Sequence, residues 1–356
     1  MTLSIPKTLE WRKEGFLRIL DQTKLPLEKK YLNCKSKEEV WQAIKTLSVR
    51  GAPAIGIAAA YGLCVDLVTA EEKKVPFLKS RLLAAAQYLK TARPTAVNLF
   101  WAVDRMIHVS ETFKHDDAAL YQETLLKEAL SIHMEDQMIC ETIGLTGSHF
   151  IKNGMNILTH CNAGAFATGG NGTALSVLYQ AKKEGKQFTV YVDETRPLLQ
   201  GSRITAFELT EAEIDTVLIC DNMAGYLMKK GVIHLIITGA DRIARNGDSA
   251  NKIGTYTLAK MASQFHIPFY IAAPSSTFDL NTSSEDEIEI EERPKTEVTH
   301  FKGMPVSPSN VRVYNPAFDV TESSLIRGFF TEKGFIQPPF NVNIPKILGL
   351  RKKHHH

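Results

Sequence analysis

The runs MNILTH (155–160), FTVYV (188–192), DTVLIC (215–220), VIHLIITG (232–239) and PFYIAA (268–273) are short, apolar and regularly spaced. Between them lie segments with helical spacing, near 173–184, 202–211, 222–230 and 249–264. Runs of four to eight residues alternating with helices imply βαβ units, and hence a mostly parallel sheet covered on both faces. This α/β region is assigned to 151–345, after an N-terminal, mainly helical domain over 1–150 and before a tail over 346–356.

Upstream of residue 150 the pattern changes to helical spacing. Ser36-Lys37-Glu38-Glu39 reads as a capping box, followed by Val40, Trp41, Ile44 and Leu47. The loop Arg50-Gly51-Ala52-Pro53 leads into AIGIAAAYGLCVDLV, a buried helix rich in small residues. Pro76 to Lys90 is amphipathic and closes at Arg93-Pro94, and residues 117–150 carry one or two long helices. The acidic stretch Ser283–Glu292 reads as a solvated loop.

Lys plus Arg number 42 and Asp plus Glu 39, a net charge of +3 that speaks against a nucleic-acid-binding surface. The N-terminus lacks the apolar core of a signal peptide, and no apolar run is long enough to span a membrane. Five cysteines, none in a Cys-x-x-Cys pair, suggest neither a zinc site nor a disulfide framework; free thiols fit a reducing compartment. The terminal His354-His355-His356, either native or a tag remnant, are left out of the argument.

Ligands of an open parallel sheet bind beyond the carboxyl ends of its strands. Those ends here are Cys161-Asn162, Asp193-Glu194-Thr195-Arg196, Asp221-Asn222 and Gly239-Ala240-Asp241-Arg242. Cys161 is either a buried thiol or a proton-transfer group. Asp241 ends the very apolar VIHLIITGA, where desolvation would raise its pKa; the alternative is a helix cap or an ion pair with Arg242. Gly169-Gly170-Asn171-Gly172-Thr173 is either a flexible turn or a phosphate cradle at a helix start. Asp193, about twenty residues on, sits where a dinucleotide's ribose would be held, which keeps a nicotinamide dehydrogenase as an alternative. Asn251-Lys252 reads as a helix start, an unfavourable place for a lysine that suggests anion binding. Arg50 and Arg93, in Gly- or Pro-bearing loops, are either phosphate contacts or solvated.

The strings RGAPAIG (50–56), HCNAGAFATGGNGTAL (160–175), ETRPLLQGSRITAFEL (194–209), GADRIARNGDSANKIGTYTLA (239–259), IPFYIAAPSSTFD (267–279) and NPAFDVT (315–321) resemble methylthioribose-1-phosphate isomerases. That family shares its fold with the alpha, beta and delta subunits of eukaryotic initiation factor 2B and with ribose-1,5-bisphosphate isomerase. The resemblance runs from about residue 5 to about residue 340 and implies a Rossmann-like domain behind a helical one. It implies a cytoplasmic enzyme of methionine salvage that turns 5-methylthioribose 1-phosphate into its ketose. It also implies a homodimer, a sugar-phosphate substrate, and neither metal nor redox cofactor. By position, Cys161 and Asp241 match the family's catalytic pair, and Arg50, Gly51, Ala52, Arg93, Gln200, Asn251 and Lys252 its substrate-binding positions. Phe166 interrupts a run of small residues usual in the family, and the glycines after it read as a flexible loop. A related branch acts on 5-deoxyribose 1-phosphate, and the regulatory relatives, which do not keep the pair together, offer a non-catalytic binding role.

Overall fold

A computed structural model describes residues 5–94, 96–301 and 303–349, so the terminal histidines lie outside the described residues. The chain divides into two units, each taken by itself. One is the described chain to Glu141 with Ala163–Gly172; the other is Thr142–Asn162 with the chain from Thr173.

The first unit opens with a three-stranded antiparallel meander in the order β1 (Leu9–Arg12), β2 (Phe16–Leu20), β3 (Tyr31–Cys34). The expectation of helices misses this sheet. Its signal is a short alternation in β2: Leu17 and Ile19 are buried, while Phe16 and Arg18 are only half-buried. Helices follow: α1 (Lys37–Lys45), α2 (Ala52–Val68), α3 (Val75–Lys90), α4 (Val97–Thr112) and α5 (Ala118–Ser148), whose residues from Thr142 belong to the second unit. Ser36 caps α1, accepting the Glu39 N–H at 3.2 Å. α2 is buried on nearly all sides, and Gly56 lets it approach α4, because an added Cβ would lie 2.7 Å from the Asn98 carbonyl oxygen. Its single carboxylate, the buried Asp66, is answered by Lys37 at 2.8 Å and by both ends of the Arg81 guanidinium, at 2.8 and 3.1 Å.

The second unit alternates as its apolar runs require. In chain order come β4 (Met155–Thr159), α6 (Ala174–Lys183), β5 (Phe188–Asp193), α7 (Ala206–Glu211), β6 (Asp215–Ile219), α8 (Ala224–Lys229) and β7 (Leu235–Thr238). Next are β8 (Arg242–Ala244), β9 (Ser249–Lys252), α9 (Thr255–Gln264), β10 (Phe269–Ala272), β11 (Phe278–Asp279), α10 (Thr296–Thr299), β12 (His300–Phe301) and β13 (Met304–Pro305). The last are β14 (Phe318–Thr321), β15 (Gly328–Thr331), β16 (Gly334–Ile336) and α11 (Phe340–Ile347), which runs into the stretch read as a tail.

The main sheet has seven strands in the order β16-β15-β10-β7-β4-β5-β6, all parallel except β16 at one edge. From β4 the chain moves outward through β5 to β6, then returns to β7 on the other side and moves outward through β10 to β15. The strand order therefore reverses between β4 and β7, the place where doubly wound sheets open a crevice. A second sheet, in the order β11-β8-β9-β14, is inserted after β7. It corrects the helix read over 249–264: the helix begins only at Thr255, and Ser249–Lys252 is a strand paired with β14, about seventy residues downstream. The acidic stretch is largely exposed loop, anchored by buried Ile288.

Candidate active site

Cys161 stands two residues beyond β4, half-buried, with φ at 60°. A non-glycine residue in the left-handed region costs about 1–3 kcal/mol and persists only where its surroundings hold it. Here the Cys161 N–H donates to Thr195 Oγ1 at 2.8 Å, and the Thr205 hydroxyl donates to the Cys161 carbonyl at 2.6 Å. Thr195 is itself left-handed, at φ 64°, and its N–H and that of Arg196 donate to the two carboxylate oxygens of Asp221 at 2.7 and 2.8 Å. Asn162 Nδ2 donates to Thr205 Oγ1 at 3.0 Å and to the buried carboxylate of Glu208, which also accepts the Tyr179 hydroxyl at 2.9 Å.

Asp241 stands three residues beyond β7, on the approach to the β8–β9 hairpin; its N–H donates to the Ala250 carbonyl at 2.9 Å. β4 and β7 are hydrogen-bonded neighbours, with Leu158 opposite Ile236. Cys161 and Asp241 therefore leave the sheet from adjacent strands, about 4.8 Å apart, at the point where strand order reverses. The desolvation expected of Asp241 is corrected by its exposure: the apolar residues of its run are the buried strand β7, and the carboxylate stands past them.

The hairpin also carries Asn251 and Lys252. Asn251 is buried, and its amide donates to Thr255 Oγ1 at 3.0 Å. Lys252 Nζ donates to the Ala317 carbonyl at 2.9 Å and lies 4.7 Å above the Phe318 ring. Both residues sit on a strand, so the helix-dipole argument for Lys252 falls away. Gln200, 7% exposed with Oε1 unpartnered, precedes a π-turn at Gly201–Thr205. Gly201 is obligatory there: a Cβ would lie 1.7 Å from the Asp193 carbonyl oxygen.

The remaining candidates belong to the first unit. Gly51, at φ 89°, opens α2 before exposed Ala52; a Cβ at Gly51 would lie 2.3 Å from the Ala167 carbonyl oxygen. Arg50 and Arg93 are half-buried, in the loops before α2 and after α3. The glycine loop after Phe166, read as flexible at Gly169-Gly170-Asn171, is instead tied down. Phe166 is fully buried and its carbonyl accepts from Gln22 at 2.7 Å. Gly169 N–H donates to Asp136 at 2.6 Å, and those of Gly170 and Gly172 donate to Thr168 Oγ1 at 3.2 and 3.0 Å. Three amides proposed to cradle phosphate are thus already committed. Burial pushes the Asp136 carboxyl up to about 6, although the Gly169 and Gly170 amides and the Cys140 thiol pull the other way.

Sequence reasoning passes over His160, Thr195, Thr205 and Asp221 as partners, because each acts through a residue tens of positions away. A polar residue at the buried end of an apolar strand was the available signal for His160. Its Nδ1 lies 2.9 Å from Asp193 Oδ2 and its Nε2 2.9 Å from the Ile253 carbonyl. Asp193, fully buried on this histidine, is not placed to hold a ribose, which removes the main support for a dehydrogenase. Donor atoms of His160, Asp193 and Asp221 lie within 4.8 Å of one another. Both His160 nitrogens and both Asp221 oxygens are hydrogen-bonded, so only Asp193 Oδ1 keeps its lone pairs free, too few donors for a divalent ion.

Residues 48–338 match the model of the initiation factor 2 subunit family. A methylthioribose-1-phosphate isomerase of Thermotoga petrophila is 52% identical over 344 residues, 97% of this chain and 98% of the relative. The crystal structure of 5-methylthioribose 1-phosphate isomerase from Pyrococcus horikoshii OT3 superposes with a TM-score of 0.93 at 40% identity, covering 98% of this chain and 97% of that one. The A. fulgidus structure described as translation initiation factor eIF-2B, subunit delta, gives 0.91 at 42% identity, covering 96% and 99%. The chain belongs to the initiation factor 2 subunit family and, within it, to the methylthioribose-1-phosphate isomerases.

Proposed function

We propose that this chain isomerises 5-methylthioribose 1-phosphate to 5-methylthioribulose 1-phosphate, a step of methionine salvage, with Cys161 and Asp241 as its acid–base pair. The observation that carries the pair is topological: the two residues follow neighbouring strands at the switch point of a doubly wound sheet. The relatives' names support the reaction.

Four proton movements complete the isomerisation. Asp241 protonates the ring oxygen as its bond to C1 breaks, and Cys161, as thiolate, removes the proton from C2 to give an enol. Cys161 then returns that proton to C1 while Asp241 takes the proton from the C2 hydroxyl, leaving the ketone. Both groups end as they began. Asp241 is exposed in the free chain, so the bound sugar must exclude water from it for the carboxyl to hold its proton. Asn251 and Gln200 orient sugar hydroxyls. Lys252 answers the phosphate, a dianion that needs several donors when taken from water; Arg50, Gly51, Ala52 and Arg93 are carried as substrate-binding positions by the family resemblance.

The chain works as a cytoplasmic homodimer in this reading. Among the described residues its cysteines form no disulfide, as a reducing compartment allows. On α5, Leu130, Met134 and Met138 form an exposed apolar stripe, at 40, 56 and 53% exposure, that pairing would cover. Among the described residues no helix is long and apolar enough to cross a membrane.

The test is a coupled assay on 5-methylthioribose 1-phosphate and 5-deoxyribose 1-phosphate side by side. Higher kcat/KM on the methylthio sugar is expected. Preference for the 5-deoxy sugar would reassign the substrate, and turnover of neither would make the chain a binding subunit.

A further inference from the structure

His160 and Asp193 take no part in the proton movements just described, yet they lie directly behind them. Both are buried, at 2% and 0% exposure. A carbonyl oxygen only accepts, so His160 Nε2, 2.9 Å from the Ile253 carbonyl, carries hydrogen. The opposite contact, Nδ1 to Asp193 Oδ2 at 2.9 Å, then holds one proton, on the imidazole or on the carboxyl. The other carboxyl oxygen, Asp193 Oδ1, is buried without a partner, so His160 is what answers this carboxyl.

The pair meets three segments that carry candidate site residues. His160 precedes Cys161, and the Asp193 carbonyl accepts from Thr195 Oγ1 at 3.1 Å, the same oxygen that accepts the Cys161 N–H. Gly201, next to Gln200, packs its Cα on that carbonyl. Through Nε2 the imidazole holds Ile253, which follows Asn251-Lys252, and Gly254 packs against the ring edge, where a Cβ would lie 2.9 Å from Cε1.

We propose that His160 is a positioning residue for the isomerisation: sharing one proton with Asp193, it locks the Cys161 backbone, the Gln200 turn and the Asn251-Lys252 strand into one arrangement. The inference rests on the reading of Cys161 as a reacting group. The electrostatics agree with a shared proton. Burial pushes the Asp193 carboxyl up to about 6, with Asp221 and Glu194 adding to the rise and His160 opposing it. Burial alone would lower the His160 imidazole, but its hydrogen bond to Asp193 and the charges of Asp193 and Asp221 hold it above its usual value. Asp319, which accepts the Gly254 and Tyr256 N–H groups at 2.7 and 3.1 Å, is the further ionisable group facing the ring.

The experiment compares the full chain with His160→Ala, His160→Gln, Asp193→Asn and Cys161→Ala, measuring kcat and KM on 5-methylthioribose 1-phosphate against pH. His160→Ala is expected to lower kcat by about 10²-fold while the protein stays folded, the scale of a small misplacement of reacting groups. His160→Gln, whose amide N–H reaches towards the Ile253 carbonyl, is expected to recover about tenfold of that loss. Asp193→Asn keeps the hydrogen bonds without an ionisable carboxyl and is expected to move the acid limb of the kcat profile. A proton resonance downfield of the amides, present in the parent and absent from Asp193→Asn, reads the pair without reference to turnover; its absence from the parent would overturn the shared proton.

Full turnover by Cys161→Ala would retire the thiol reading. A dead Cys161→Ala beside a His160→Ala within about threefold of the parent would retire the positioning role alone. If His160→Ala does not fold, parent-like kcat and pH profiles in both His160→Gln and Asp193→Asn overturn the proposal.

Discussion

At the scale of single residues, the site depends on backbone that is held rather than relaxed. Cys161, Thr195 and Leu199 all take left-handed φ values, near 60°, within the segments that meet at the end of β4. The Thr195 hydroxyl is central, since it accepts from Cys161 and donates to Asp193. Thr195→Val keeps the branched shape and removes both bonds. It is expected to cost about 1–2 kcal/mol in denaturant unfolding and to lower kcat, while Thr195→Ser restores both. A Thr195→Val protein with parental stability and turnover would show that Cys161 does not rely on this contact. Cys161 and Asp241 stood out as candidates because each follows an apolar strand, and the family resemblance, not their spacing, joined them as a pair. His160 and Thr195 did not stand out, because what makes them matter lies about thirty-three residues away, across β4 and β5.

Among elements, the sequence reads well where hydrophobic period decides the structure and badly where pairing does. The strands β4, β5, β6, β7 and β10 are short, mainly apolar runs, and all five were anticipated. The strand β9 is not apolar in period: SANK runs into a helical pattern, and only its pairing with β14 makes it extended. The short loop over 163–172 shows the same limit, since its glycines suggest freedom while Asp136 and Thr168 bind their amides. Asp136 also makes a pH prediction. Its carboxyl is raised in the folded chain from 3.8 to about 6, so the folded state binds the proton more tightly than the unfolded one. That contribution to stability is full below about pH 4 and is lost as pH rises through about 6, with a ceiling of about 3 kcal/mol. Asp136→Asn, which still accepts from Gly169, is expected to flatten this part of the stability–pH curve of the first unit. An unchanged slope would assign the effect to other groups.

Over the whole molecule, the alternation of strands and helices made a mostly parallel sheet legible, but not its strand order, because nothing local in a strand records which neighbour it pairs with. The order matters most for function: it puts the ends of β4 and β7 side by side, so that Cys161 and Asp241 follow adjacent strands. The family resemblance supplied candidates in both units, with Arg50, Gly51, Ala52 and Arg93 in one and Cys161, Gln200, Asp241, Asn251 and Lys252 in the other. The proposed function makes Cys161 and Asp241 its acid–base pair, and it turns first on the thiol. The most direct measurement is kcat of folded Cys161→Ala on 5-methylthioribose 1-phosphate, beside the parent chain. The account predicts a loss of at least about 10²-fold, as for removal of an acid–base group. Turnover close to the parent's would contradict it.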